Sequence, residues 1–153
     1  MYVCVFVCVS AAAKALAALS QEHSAREVLH RLGTLSHVIR SLSAANVRHE
    51  AGGRDGASAG DARVSMLRVV AAFAADDRYT NMLRITIHPL IALLASDKAH
   101  AVGLAARAIA SLARGEPNRD ALREAGAVRR MSELLLHSEG GVQVHWHSVF
   151  VYV

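Results

Sequence analysis

The fold class of this 153-residue chain is indicated most clearly by the stretch Asn118-Arg-Asp-Ala-Leu-Arg-Glu-Ala-Gly126-Ala-Val-Arg-Arg-Met-Ser-Glu-Leu-Leu135. After Gly126, the apolar residues Val128, Met131 and Leu135 follow one another at steps of three and four. Such steps place side chains on one face of an α-helix, and a glycine commonly ends the helix that comes before it. The stretch therefore predicts two amphipathic helices that meet at Gly126.

The same apolar pattern occurs twice upstream. When Gly33 and Ile85 are aligned with Gly126, three columns are apolar in every copy. These columns are Leu35, Ile87 and Val128; Val38, Leu90 and Met131; and Leu42, Leu94 and Leu135. An arginine stands seven residues before each reference position, as Arg26, Arg78 and Arg119. A pattern that returns after 52 and then 41 residues indicates an internal repeat.

A second helix also recurs, in residues 14–19, 68–73 and 107–112. Each copy begins with a cationic residue, continues with small or apolar residues and ends with a large apolar residue. The longer first step of the repeat has a visible cause, a glycine-rich segment at about residues 46–61 without periodicity. Such a composition predicts a flexible insertion in a loop.

Composition favours helices over sheets. The chain is 53% hydrophobic and contains 29 Ala, but only three Phe, three Tyr and one Trp. Alanine suits closely packed helices, whereas a β-sandwich is rich in aromatic and β-branched residues. Net charge is +4, and the acidic residues lie among the 15 Arg and 2 Lys. No basic block is dense enough to indicate nucleic-acid binding by itself.

These residues resemble the armadillo repeat family, whose unit combines a short first helix, a glycine-led second helix and a long third helix. The resemblance implies an all-α fold, a right-handed α-solenoid of three-helix repeats, with irregular or β-prone ends. We expect an apolar N-terminal extension (1–10), a repeat domain (11–137) and a C-terminal tail (138–153). Within the repeat domain, the expected pieces are a lone third helix (11–20), two full units (22–75 and 77–114) and a final helix pair (117–137).

The resemblance also implies a concave groove, lined by the third helices, that holds an extended peptide. The family's asparagine column falls here on Ala18, Ala72 and Ser111, and its tryptophan column falls on Lys14, Arg68 and Arg107. Cations therefore replace the tryptophan ladder, and Arg forms forked hydrogen bonds to carboxylate or phosphate. The expected function is non-catalytic binding of another protein, through an extended acidic or phosphorylated segment. The alternative is that these side chains only extend from a solvated helix face.

Other function classes have weaker support in the sequence. His23, His30 and His37 recur every seven residues, but Gly33 interrupts that run, so the three side chains would not form one line. We expect no enzyme activity, no cofactor and no metal; His145 and His147 are a weak metal-binding alternative because further ligands are missing. A nucleic-acid-binding solenoid is the other alternative, and the 5% aromatic content argues against it.

The two ends bear on localisation and completeness. Cys4 and Cys8 are too close for a disulfide framework, which favours the cytoplasm or the nucleus. Residues 1–19 are apolar except for Lys14, so a cleaved signal is the alternative, and Lys14 argues against a membrane span. With about three units, we expect the chain to be either a piece of a longer solenoid or a solenoid whose end is covered by a partner. Without a third helix after residue 137, we expect Met131, Leu134 and Leu135 to lack cover and to promote self-association.

Overall fold

The computed structural model describes residues 2–50 and 57–137. Every regular element in these residues is helical, which confirms the predicted all-α class. The α-helices are α1 (Tyr2–Leu19), α2 (His23–Arg31), α3 (Thr34–Glu50), α4 (Ala57–Ala74), α5 (Ile87–Leu93), α6 (Ala99–Ala113), α7 (Glu116–Glu124) and α8 (Ala127–His137). Two short 3-10 helices, Asp77–Tyr79 and Met82–Thr86, lie between α4 and α5.

The chain divides into two compact units, Met1–Phe73 and Ala74–Val153. In the first unit, α2 packs against α3. Its core is aliphatic with one aromatic ring, and includes Leu29, Leu35, Ile39, Leu42, Leu67, Val70 and Phe73. Burying side chains of this size stabilises a fold by roughly 1.5–3 kcal/mol each. These large side chains hold the first unit together.

In the second unit, α5 packs against α6, α6 against α7, and α7 against α8. Helix α6 is central to this arrangement because ten of its residues are buried. Six of those ten are alanine: Ala101, Ala105, Ala106, Ala108, Ala110 and Ala113. Small side chains let neighbouring helix backbones approach closely. Part of the high alanine content of the sequence thus serves the close packing of α6 against its neighbours.

Gly33 and Gly126 form the same turn at the same place in their repeats. Their φ angles are +70° and +77°, in the left-handed region that glycine adopts without steric cost. The Gly33 N–H donates to the His30 carbonyl at 2.9 Å, and the Gly126 N–H donates to the Arg123 carbonyl at 3.0 Å. Each glycine carbonyl in turn accepts a bond from the first turn of the next helix. The aligned glycines therefore end one helix and start the next, as the repeat pattern predicts.

Ile85 occupies the third reference position without forming this turn. It lies inside the 3-10 helix Met82–Thr86, which continues directly into α5. A left-handed φ is unfavourable for a β-branched residue, and no described non-glycine residue has a positive φ. The middle repeat therefore replaces a glycine turn with a tightly wound 3-10 segment.

The three apolar columns point inward in the first two repeats. All six members are buried: Leu35, Val38 and Leu42 in α3, Ile87 and Leu90 in α5, and Leu94 directly after α5. In α8 the outcome differs: Met131 is 2% exposed, but Val128 is 41% exposed and Leu135 is half-buried. The expectation that Met131 lacks cover is therefore wrong, because its column faces the inside of the unit. Exposed apolar surface on α8 comes instead from Val128 and from Leu136.

The N-terminal end is helical, which corrects the expectation of an irregular or β-prone extension at residues 1–10. Helix α1 begins at Tyr2 and continues without a break through the alanine-rich residues 11–18. Strand propensity is a weak preference that context overrides, and a neighbouring run of strong helix formers propagates the helix. The valine-rich segment thus extends the predicted third helix toward the N-terminus.

The bounds predicted for the insertion, about residues 46 and 61, are both wrong. Residues 46–50 continue α3, and residues 57–61 already belong to α4. Alanines on both sides, at 44–45 and at 57 and 59, favour this extension of the two helices. Residues 51–56 lie outside the described residues, as does the predicted tail at 138–153 with His145 and His147.

Candidate functional site

The predicted cationic column lies at exposed positions of three helices. Lys14 on α1, Arg68 on α4 and Arg107 on α6 all have exposed side chains. Four residues after each, Ala18 is exposed, whereas Ala72 and Ser111 are half-buried. Residues four apart lie on the same helix face. Lys14 and Arg68 belong to the first unit and Arg107 to the second, so each unit is described by itself.

The accessible positions of α6 form a single line together with Arg114, the residue that directly follows the helix, and we call this line the α6 stripe. Its members are His100, Gly103, Arg107, Ser111 and Arg114, and each is exposed or half-exposed. They follow one another at steps of three, four, four and three residues, which is one face of a helix. At 1.5 Å per residue, the stripe runs for roughly 21 Å along the helix axis. Apart from Ala99 at its first position, the rest of α6 is buried.

Arg107 stands in the middle of the stripe with no partner among the described residues. It forms no ion pair or hydrogen bond there, although its side chain is exposed. A guanidinium carries five N–H donors in a planar fork that matches a carboxylate or a phosphate. The donors of Arg107 are therefore available to an anionic group from outside the chain.

Arg114 anchors the C-terminal end of the stripe. Its Nη2 donates to the Ala75 carbonyl at 2.9 Å and lies 3.2 Å from the Asp77 carboxylate. These contacts fix the Arg114 guanidinium against the segment that follows α4 within the second unit. Arg114 therefore adds positive charge near the stripe but has fewer free donors than Arg107.

In the first unit the cation of α1 already has an acidic partner. Lys14 Nζ lies 3.1 Å from the Asp61 carboxylate, and both side chains are more than half exposed. Asp61 precedes Arg68 by seven residues, so both lie on one face of α4. An exposed pair of this kind contributes only about 0.2–1 kcal/mol to stability. Asp61 was not among the predicted site residues, and its spacing from Arg68 indicates only that the two share a face of α4.

The other repeated arginine column serves the fold. Arg26 Nη1 donates to the Ser20 carbonyl at 2.8 Å and to the Gln21 carbonyl at 3.0 Å, just after the C-terminus of α1. Arg78 pairs with Asp76 at 3.2 Å and lies over the Tyr79 ring. Cations near the last carbonyls of a helix are stabilising. Arg26 and Arg78, two members of this column, thus make contacts within the fold.

The histidine run is divided between two helices. His23 and His30 lie on α2, and His37 lies on α3, where its Nδ1 accepts a 2.8 Å hydrogen bond from Arg40. Among the described residues, no group of three or more His, Cys, Asp or Glu could hold a metal ion. In the same part of the chain, no helix is long and apolar enough to cross a membrane.

Comparisons with known proteins add no family. No protein-family model matches the sequence. No curated protein matches it, and no solved structure matches it either. The likeness to armadillo repeats therefore stays a prediction from the sequence, and the candidate site is defined by the geometry of α6.

Proposed function

We propose that the chain is a non-catalytic protein-binding scaffold, an armadillo-like α-solenoid that binds an extended acidic or phosphorylated segment. The binding face would be the concave face of the solenoid, and within the second unit we assign it to the α6 stripe. The observation that carries this proposal is Arg107, an unpaired guanidinium at the centre of the one accessible line on a mostly buried helix. The proposed setting is the cytoplasm or nucleus.

Charge and geometry support this ligand class. Arg107 offers forked donors, and Arg114 adds a second positive charge seven residues further along the same face. An α-helix rises roughly 10.5 Å over seven residues, which is close to the roughly 9.3 Å of one three-residue turn of an extended polyproline II segment. A segment that carries acidic groups three residues apart therefore matches the spacing of the two arginines.

The stripe gives less support to nucleic acid. Binding of a single strand commonly uses aromatic side chains on which bases stack. None of the five stripe residues is Phe, Tyr or Trp. A peptide with carboxylate or phosphate groups needs only the cations and the polar hydroxyl of Ser111 that the stripe contains.

Charge reversal at Arg107 tests the proposal. We expect a fluorescein-labelled decaglutamate peptide to bind the full chain in fluorescence anisotropy at low salt. Arg107→Glu should weaken that binding about tenfold or more, because a hydrogen bond to a charged group contributes roughly 1.5–3 kcal/mol. Salt should weaken wild-type binding, since exposed charges are screened beyond about 10 Å at 0.1 M.

Arg84→Glu is the matched control. Arg84 is exposed in the same unit and has no described partner, but it lies on the 3-10 helix before α5 and outside the stripe. The control should bind the peptide within about twofold of wild type. Equal losses in the two variants, or no binding by wild type, would reject the assignment to the stripe. If a ten-nucleotide oligothymidylate binds more tightly than the decaglutamate peptide, the stripe is a nucleic-acid-binding site instead.

A further inference from the structure

Gly103 is a glycine in the interior of α6 that the fold does not require. Its φ is not in the left-handed region, which among the described glycines is found at Gly33 and Gly126. A Cβ added at Gly103 would meet no atom within 4 Å. Glycine weakens a helix interior relative to alanine, because its backbone loses more conformational freedom on folding. Neither backbone geometry nor packing therefore explains a glycine here.

Gly115, in the same unit, is a glycine for which packing does offer an explanation. A Cβ there would lie 3.2 Å from Asn118 Nδ2 and 3.5 Å from the Leu112 carbonyl oxygen. A side chain at Gly115 would thus press on buried groups of the protein itself. At Gly103 the corresponding space is open toward the solvent side of the α6 stripe.

The position of Gly103 connects it with the candidate ligand. It lies between His100 and Arg107 on the stripe, four residues before Arg107. Four residues of helix rise by about 6 Å, which is within reach of an acidic side chain whose backbone lies against Gly103. Because glycine has no side chain, another polypeptide can approach the α6 backbone more closely here than elsewhere on the stripe.

We propose that the main chain of the bound segment crosses α6 at Gly103 and places an acidic side chain on Arg107. This inference rests on the proposed function and deepens it. The ligand is then an extended polypeptide that is recognised by close backbone contact as well as by charge. Gly103 acts as a specificity-determining residue, because a side chain at this position would obstruct the ligand without disturbing the protein.

The test combines stability with binding in Gly103→Ala and Gly103→Leu. We expect Gly103→Ala to raise the melting temperature by about 2–8 °C, since it removes a helix-weakening glycine. Both variants should bind the decaglutamate peptide more weakly than wild type, with a loss of about threefold for alanine and at least about tenfold for leucine. A variant that is more stable and binds less well separates a ligand contact from a folding defect.

Ala92→Leu is the matched control for added bulk. Ala92 is exposed on α5 in the same unit and lies outside the stripe, so this variant should bind like wild type. A lower melting temperature for Gly103→Ala would show that the fold needs the glycine and would overturn the inference. If both Gly103 variants bind like wild type while Arg107→Glu still loses binding, the proposed contact at Gly103 is wrong and the proposed function is unaffected. Failure of wild type to bind the peptide would overturn the proposed function and this inference together.

Discussion

Asn118 joins two segments of the second unit through one side chain. The residue is fully buried, and its Nδ2 donates to the Thr80 carbonyl at 3.2 Å across 38 residues of sequence. A buried carbonyl without a partner is costly, so this bond satisfies a group that water does not reach. Asn118 Oδ1 accepts no hydrogen bond from the described residues. One amide thus fixes the start of α7 against the segment that follows α4.

Removing that amide should destabilise the unit. We expect Asn118→Ala to lower the free energy of unfolding by about 1–3 kcal/mol, because the Thr80 carbonyl loses its donor while it stays buried. Urea unfolding followed by circular dichroism measures this change. Asn81→Ala is the control, since Asn81 is exposed and makes no capping hydrogen bond. Equal stability of the two variants would show that the Thr80 contact contributes nothing.

The structural roles of single residues were predictable from the sequence to different degrees. Gly33 and Gly126 were predictable, because a glycine between two amphipathic patterns has a local cause in the left-handed turn. The Lys14–Asp61 pair was not, because it joins residues 47 positions apart whose meeting depends on helix packing. Gly103 was also missed. The proposed role of Gly103 depends on the open space beside its Cα atom, which is a property of the folded structure and cannot be read from residue spacing.

At the scale of one element, α8 carries a charge cluster that makes it sensitive to acid. Glu133 accepts hydrogen bonds from Arg130 Nη1 at 2.8 Å and from Arg129 Nε at 3.0 Å. The bond from Arg130, followed by that from Arg129, holds the pKa of Glu133 below its ordinary value. The folded chain therefore favours the charged carboxylate more strongly than the unfolded chain does. This contribution is complete above the ordinary pKa of about 4.3 and is lost as pH falls through the lowered value.

Glu133→Gln should reduce the acid sensitivity of the fold. The melting temperature of wild type should fall between about pH 6 and pH 2.5, and the variant should show a smaller fall because its amide does not titrate. Glu124→Gln is the control, since Glu124 is exposed on α7 and has no described ion-pair partner. An equal fall in wild type and Glu133→Gln would show that the cluster does not couple to folding.

Helices were predictable where their apolar pattern was regular. The columns that begin at Leu35 and Ile87 gave the starts of α3 and α5 within a few residues, because burial of one face stabilises those helices. The ends of α3 and the beginnings of α1 and α4 were not predictable from that pattern. These boundaries lie in segments whose apolar residues are not confined to one helix face, and there the neighbouring helix formers decide the boundary. The 3-10 helix that contains Ile85 was not predicted, because in the aligned pattern it differs from the glycine turns only in having isoleucine in place of glycine.

Across the molecule, the last copy of the apolar pattern, on α8, is less completely buried than the two copies before it. The columns of α3 and α5 are covered, whereas α8 exposes Val128 at 41% and Leu136 at 80%. These residues are eight positions apart, which places them on one broad side of the helix. Fully burying a side chain of this kind stabilises a fold by roughly 1.5–3 kcal/mol, so leaving both in water forgoes several kcal/mol. The exposed side of α8 therefore favours contact with a second apolar surface.

We expect this side of α8 to make the isolated chain associate with itself. Sedimentation velocity at about 5 and 200 µM should show a concentration-dependent rise in mass, because association follows mass action. Val128→Glu combined with Leu136→Glu should keep the chain monomeric at both concentrations, since two carboxylates cannot be buried in the contact without a large cost. Ile85→Glu is the control: Ile85 is 68% exposed in the same unit but lies before α5, so this variant should still associate. If the wild-type chain stays monomeric at 200 µM, the exposed side of α8 is tolerated in water and the prediction is wrong. If Ile85→Glu prevents association as fully as the double variant does, the contact is not specific to the exposed side of α8.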